Sequence, residues 1–277
     1  MHRISNSAKI NILLFLVSTL LIISLIVPIG QTQETTIYVD DSGGADYTSI
    51  QDAIDAANPG DTIYVYNGIY FENLIVNKSI NLLGEDKKST IIDGSNSSDV
   101  VFISSNYVNI TGFTIQNSGA GMYDEGINID SDFNRITGNL VTNCSCGISL
   151  DFWAHNCIIQ DNSFFYNIKG ISVYSVYPNN NLINLNNFYQ NSLNAYDNSN
   201  GTWDYLGQGN YWNDYDGKDN NGDGIGDTPY IIPGGSTQDN YPLMDPHGTP
   251  GFEAIIVFLA IAVVAFLITA KRLKNKK

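Results

Sequence analysis

Asp130 and Asp151 each lie four residues after the glycine of a Gly-Ile pair, Gly126-Ile127 and Gly147-Ile148. If the segments around them stack, the two carboxylates become neighbours. Asp132 follows two residues after Asp130 and is expected on the same face, with Arg135 and His155 nearby. Paired acids on stacked strands could share a Ca²⁺, raise one another's pKa, or act as acid and base across a glycosidic bond. An Arg beside bound Ca²⁺ would suit proton abstraction in a uronate lyase. The competing reading is a solvated acidic face without chemistry. Phe152, Trp153, Tyr174 and Tyr177 are placed on that face too, where they could stack on sugar rings. Exposed rings are also ordinary in a chain with 17 tyrosines.

A second constellation lies near the carboxyl end. Asp219, Asn221, Asp223 and Asp227 stand at positions 1, 3, 5 and 9 of a calcium loop. Gly224 supplies the turn at position 6 and the carbonyl of Ile225 falls at 7. Position 12 is Tyr230, so the bidentate Glu of an EF-hand is missing, and the pattern is nearer to thrombospondin-type or dockerin-like loops. Calcium is the expected cofactor; an acidic, Gly-rich turn is the alternative. Copper fits badly, because the three His and three Met are scattered and no soft-ligand cluster exists. Cys144, Cys146 and Cys157 allow one disulfide with a free thiol, or an intermolecular bond. Asn77, Asn96, Asn109, Asn143 and Asn200 head glycosylation sequons.

The elements that position these groups follow from a short repeat. Blocks begin at Gly126, Gly147 and Gly170, with steps of 21, 23 and 24 residues to Asn194. Within them Ile136, Ile159 and Ile183 share one offset, Asn139, Asn162 and Asn186 a second, and Val141, Phe164 and Phe188 a third. Asn143, Asn167 and Asn191 make a further asparagine column. A period in this range means a solenoid whose units must stack to bury their apolar faces. Apolar and polar residues alternate over short runs such as Ile127-Asn128-Ile129, which is strand periodicity. Asn, Gly and Ser separate the runs as turns require. The expectation is an all-β parallel β-helix, one block per coil, with amide ladders in the bends. Ahead of the blocks, Thr48 is expected to cap a short helix with Ile50, Ala53, Ile54 and Ala57 on its apolar face, covering the open end of the solenoid.

The 277 residues carry a net charge of −15. Much of the positive charge sits at the two ends, so the middle is more acidic still. That disfavours nucleic acid and favours cations or neutral ligands such as glycans. Basic residues precede the apolar run Ile12 to Val27, which reads as a signal peptide over 1–32. Ala254 to Ala270 is 17 residues without charge, the minimum for a spanning helix, and a basic tail follows over 271–277.

The stretch Tyr47-Thr48-Ser49-Ile50-Gln51-Asp52-Ala53-Ile54, followed by Gly60-Asp61-Thr62-Ile63 and Gly68-Ile69-Tyr70-Phe71-Glu72, resembles the opening of pectin-lyase-like parallel β-helix proteins. Among these it is most similar to the NosD-type, carbohydrate-binding and sugar-hydrolase (CASH) group of archaeal surface proteins. Gly209-Asn210-Tyr211-Trp212, the calcium-like loop and Asp239-Asn240-Tyr241-Pro242-Leu243-Met244 resemble the closing segment of the same group. The resemblance implies a right-handed coil over 36–195, closed by an acidic segment over 196–246. It carries no catalytic residue onto this chain, since the polygalacturonase set and the pectate lyase Arg motif are absent. Pro250-Gly251-Phe252, within the 247–253 linker before the 254–270 span, resembles a PGF-type sorting signal read by an archaeosortase. The combined expectation is an exported protein at the outer face of the membrane, structural, adhesive or carbohydrate-binding. A polysaccharide lyase or glycosidase is the first alternative and metallocofactor maturation the second.

Overall fold

The computed structural model describes residues 34–174 and 180–248. They form a right-handed parallel β-solenoid of about 7 turns, the hand that parallel crossovers adopt. Three sheets make its walls. The first runs from Thr36–Val39 through Thr62–Val65, Asn81–Gly84, Asn109–Thr111, Arg135–Thr137 and Ile158–Gln160 to Leu182–Asn184. The second runs from Leu74–Val76 through Val101–Ile103, Glu125–Ile129, Cys146–Leu150 and Lys169–Val173 to Leu193–Asp197. The third runs from Gly68–Tyr70 through Thr90–Asp93, Thr114–Gln116, Leu140–Thr142, Ser163–Phe165 and Asn187–Tyr189 to Tyr211–Trp212.

The register follows the repeat. Ile136 pairs with Ile159 and Ile159 with Ile183; Val141 pairs with Phe164 and Phe164 with Phe188. Their side chains fill one continuous core that includes Ile127, Ile148 and Ile171. On the inner side of the third sheet the rings of Phe164, Phe188, Trp212 and Tyr230 stack at centroid spacings of 5.0, 4.4 and 4.1 Å.

Asn139, Asn162 and Asn186 stand fully buried in the bend between the first and third sheets. Each backbone N–H donates to the Oδ1 of the next asparagine at 3.0 Å. Each Nδ2 donates to a carbonyl of the preceding coil, at Ile110, Ile136 and Ile159. A fourth rung, Asn210, continues the ladder, so the stack runs past the last repeat. The ladder ends on Asp239, whose Oδ2 accepts Asn210 N–H at 2.7 Å and Trp212 Nε1–H at 2.9 Å.

The second asparagine column is shifted by one residue. Asn167 and Asn191 are rungs, but the third rung is Cys144, whose N–H donates to Asn167 Oδ1 at 2.9 Å. Asn143 is exposed, with a left-handed φ of 55°. The step here is 23 residues, as Val141 opposite Phe164 requires, and not 24. Cys157 likewise occupies a ladder position, its N–H donating to Asn181 Oδ1 at 2.8 Å. All three cysteines are buried and free of disulfides.

The expected helix spans Ile50–Ala56, with Ile50, Ala53 and Ile54 buried. Its cap is Ser49 rather than Thr48: Ser49 Oγ accepts Asp52 N–H, while the Glu72 carboxylate of another coil accepts the N–H groups of Ile50 and Gln51. At the other end the chain returns along the third sheet. His247 exchanges two hydrogen bonds with the Asn187 side chain, at 2.8 and 3.0 Å, and its Nε2 lies 3.0 Å from Asp161 Oδ1. Among the described residues no helix is long and apolar enough to cross a membrane. The expected signal peptide, the sorting motif Pro250, Gly251 and Phe252, the span at 254–270 and the basic tail lie outside the described residues.

Candidate functional site

The outer face of the second sheet carries most of the groups with chemical potential. Strand pairing sets Glu125 beside Cys146 and Cys146 beside Lys169 in one row, and Phe102, Asn128, Ser149, Ser172 and Tyr196 in another. Asp99 joins the first row from the preceding coil, its Oδ1 accepting Glu125 N–H at 2.8 Å. Gly126, Gly147 and Gly170 turn the backbone between these outward groups and the core. A Cβ on Gly147 would stand 2.5 Å from the Gly170 carbonyl oxygen and 2.8 Å from Phe164. The repeating Gly is therefore a packing requirement.

The structure separates the five acid–base candidates. Asp130 and Asp151 leave the sheet at the same level, their N–H groups bonded to the carbonyls of Ile103 and Ile129. Burial raises both carboxyl pKa values, and the Asp130 charge raises Asp151 further. Asp132 lies in the bend beyond, where its Oδ1 accepts His155 N–H at 2.9 Å and faces His155 Nδ1 at 2.8 Å. Arg135 is exposed on the first sheet and forms no ion pair among the described residues. The strand ends at Ile129 and the chain turns, so the period-2 alternation that placed Asp132 with Asp130 no longer applies.

Phe152 and Trp153 project directly after Asp151 and are 59% and 68% exposed. Tyr174 is half-buried; its hydroxyl accepts from Lys169 Nζ at 2.8 Å and its ring leans on Tyr196. Tyr177 lies outside the described residues. A cleft of about 320 Å³, lined by Asn73, Leu74, Ile75, Ser98, Asp99 and Phe102, opens on the amino-terminal side of this face. Glu125, Asp99, Asn128 and Lys169 were missed in the sequence. The sequence marks two of them, because Glu125 and Lys169 each stand immediately before a Gly-Ile pair.

In the carboxyl-terminal loop Asp219 accepts the N–H groups of Gly222, Asp223 and Gly224, Asn221 accepts Asp223 N–H, and Asp223 accepts Ile225 N–H. Asp227 accepts from Asn220. Of the sequon asparagines, Asn77, Asn96, Asn143 and Asn200 are exposed; Asn109 sits in a strand with its amide bonded to Asn81 at 2.6 Å. Among the described residues no three His, Cys, Asp or Glu side chains converge as a metal ion would need.

The sequence matches the family described as "Periplasmic copper-binding protein (NosD)" over residues 54–176 and 124–217. No curated protein matches. Similar solved structures include a pectin methylesterase from carrot, 18% identical with a TM-score of 0.45, covering 60% of this chain and 70% of the enzyme. Another is the pectin methylesterase PemA from Erwinia chrysanthemi, 14% identical with a TM-score of 0.40, covering 65% and 64%. A third, from Aspergillus niger, is 16% identical at 0.34, covering 60% and 58%.

The described residues do not fit a copper centre. Burial pushes the thiols of Cys144 and Cys157 up to about 11 and that of Cys146 up to about 12, away from the thiolate form a soft metal needs. His155 and His247 are each held by an aspartate on different coils.

Proposed function

Because this chain belongs to the NosD family, we propose that it is an exported solenoid whose second sheet binds glycan through its outer face, in a structural or adhesive role. The observation that carries this reading is the exposed Phe152–Trp153 pair next to Asp151, on the same sheet as the Asp99–Glu125 carboxylates and a cleft. Flat aromatic faces take the apolar faces of sugar rings, and the neighbouring polar groups fix orientation. The acidic row favours neutral or cationic glycans over uronates. The protein works outside the cytoplasm, held at the membrane by the apolar run at 254–270 or by lipid after processing at Pro250-Gly251-Phe252. The Asp219–Asp227 loop takes Ca²⁺ and stiffens the closing segment.

Binding of the purified full chain to a panel of neutral, cationic and uronate oligosaccharides tests the reading. Trp153→Ala should weaken binding by roughly tenfold, the worth of one ring stacked on a sugar. Unchanged binding by the variant, or no binding to any glycan, sinks it. A second reading rests on Asp130 and Asp151, whose raised pKa values suit a shared proton in a glycosidase or lyase. Release of reducing ends or unsaturated uronates, lost in Asp151→Asn, would favour it.

A further inference from the structure

Asp99 and Glu125 meet on the outer face of the second sheet in a way that the glycan reading does not use. Asp99 Oδ1 accepts the backbone N–H of Glu125, and its Oδ2 accepts Asn128 Nδ2–H at 3.1 Å. The Glu125 side chain, only 2% exposed, belongs to the residue whose N–H the Asp99 carboxylate accepts. Two carboxylates this close cannot both stay charged unless something positive lies between them. With no such group, burial together with the nearby Asp99 pushes Glu125 up to about 9.

The surroundings point to what the positive group is. Five buried side-chain polar atoms have no hydrogen-bond partner among the described residues, and three are on this face: Glu125 Oε2, Asn128 Oδ1 and Ser172 Oγ. Buried polar atoms are normally paired, so these unpaired oxygens leave places open to a donor from outside the chain. A metal ion is a poor candidate, because among the described residues no three acid, His or Cys side chains converge as a site. A primary ammonium group has three N–H donors and no acceptor. Asp99, Glu125 Oε2 and Asn128 Oδ1 offer it three oxygens. The cleft of about 320 Å³ begins at Asp99, and Leu74, Ile75 and Phe102 give it an apolar wall for the body that carries the amine.

We propose that Asp99, Glu125 and Asn128 form a subsite for a primary ammonium group, supplied by an amino sugar of a glycan lying along the second sheet. The inference rests on the glycan reading for its source and on these three residues for its chemistry. The same ammonium could come from a simple diamine, so the test includes one.

Calorimetry on the full chain would compare a glucosamine hexamer, its N-acetylated counterpart and putrescine. The free-amine hexamer should bind best. Glu125→Gln should weaken it by roughly tenfold or more, the loss of one charge-assisted hydrogen bond, with the melting temperature held. Asn128→Ala, at a half-buried position, should act in the same direction and replaces Glu125→Gln if that variant fails to fold. Equal affinity for the N-acetylated hexamer with retained Trp153 dependence would overturn the ammonium subsite and leave the glycan reading standing. Putrescine binding as tightly as the hexamer would overturn the glycan source. Binding unaltered in both variants, or absent for all three probes, would overturn the subsite.

Discussion

Single side chains close this solenoid, and Asp239 shows how. It takes the place that a fifth asparagine would hold, accepting from Asn210 and Trp212 through Oδ2 and from Tyr241 N–H through Oδ1 at 3.0 Å. Those donors favour the carboxylate, yet burial outweighs them and pushes its pKa up to about 6 from an ordinary 3.8. A carboxyl whose folded pKa is raised keeps its proton in the folded state after the unfolded chain has released it. Its contribution to stability is therefore full below about 3.8 and is lost as pH rises through about 6. Melting temperatures across pH 4 to 7 should fall in that window more for the native chain than for Asp239→Asn, which cannot ionise. Parallel curves for the two proteins would refute the assignment. The asparagine rungs were legible as a column because they repeat. Asp239 was not, since it occurs once and 29 residues separate it from its ladder partner. The Glu125–Asp99 pair escaped for a related reason: its row holds Cys and Lys in the next two coils, so no residue type repeats.

At the level of strands and bends, the Gly-Ile pairs that set the block boundaries mark where two coils come closest. A Cβ on Gly126, Gly147 or Gly170 would stand 2.6, 2.5 or 2.4 Å from a carbonyl oxygen of the next coil. Backbone cannot yield as a side-chain tip can. Gly147→Ala should thus destabilise the fold by about 1–3 kcal/mol, the usual cost of overpacking. Alanine at Gly222, where no atom lies within 4 Å, meets only its left-handed φ of 76° and should cost less. Chemical denaturation of the two variants measures the contrast; equal losses would mean that conformation and not contact governs these glycines. Strand register was readable wherever Ile, Val and Phe recurred. It slipped at Asn143 because coil length changes from block to block, and an asparagine at each of two adjacent offsets hides the change. The acid set failed at the strand end for a different reason, since alternation holds only while the chain stays extended.

Across the whole molecule, stability is built by neighbours, so the ends decide what the middle can keep. The helix at Ile50–Ala56 packs on the opening strands, and the Trp212–Tyr230 stack shuts the far end. If the Asp219–Asp227 loop binds Ca²⁺ as proposed, millimolar Ca²⁺ after chelation should raise the melting temperature of the full chain by mass action, and Asp223→Ala should remove most of the rise. No shift would limit the loop to its own hydrogen bonds. The path of the closing segment has one more consequence, which is mechanical. The last described residues lie on the flank of the third sheet, where His247 is clasped to Asn187 and Asp161 rather than to the terminal coil. A pull on the chain beyond this point loads two hydrogen bonds and the His247–Asp161 contact before any force reaches the ladder. The clasp acts as a strain relief. If the chain is anchored as proposed, tension is taken up at this flank before it reaches the stacked rings.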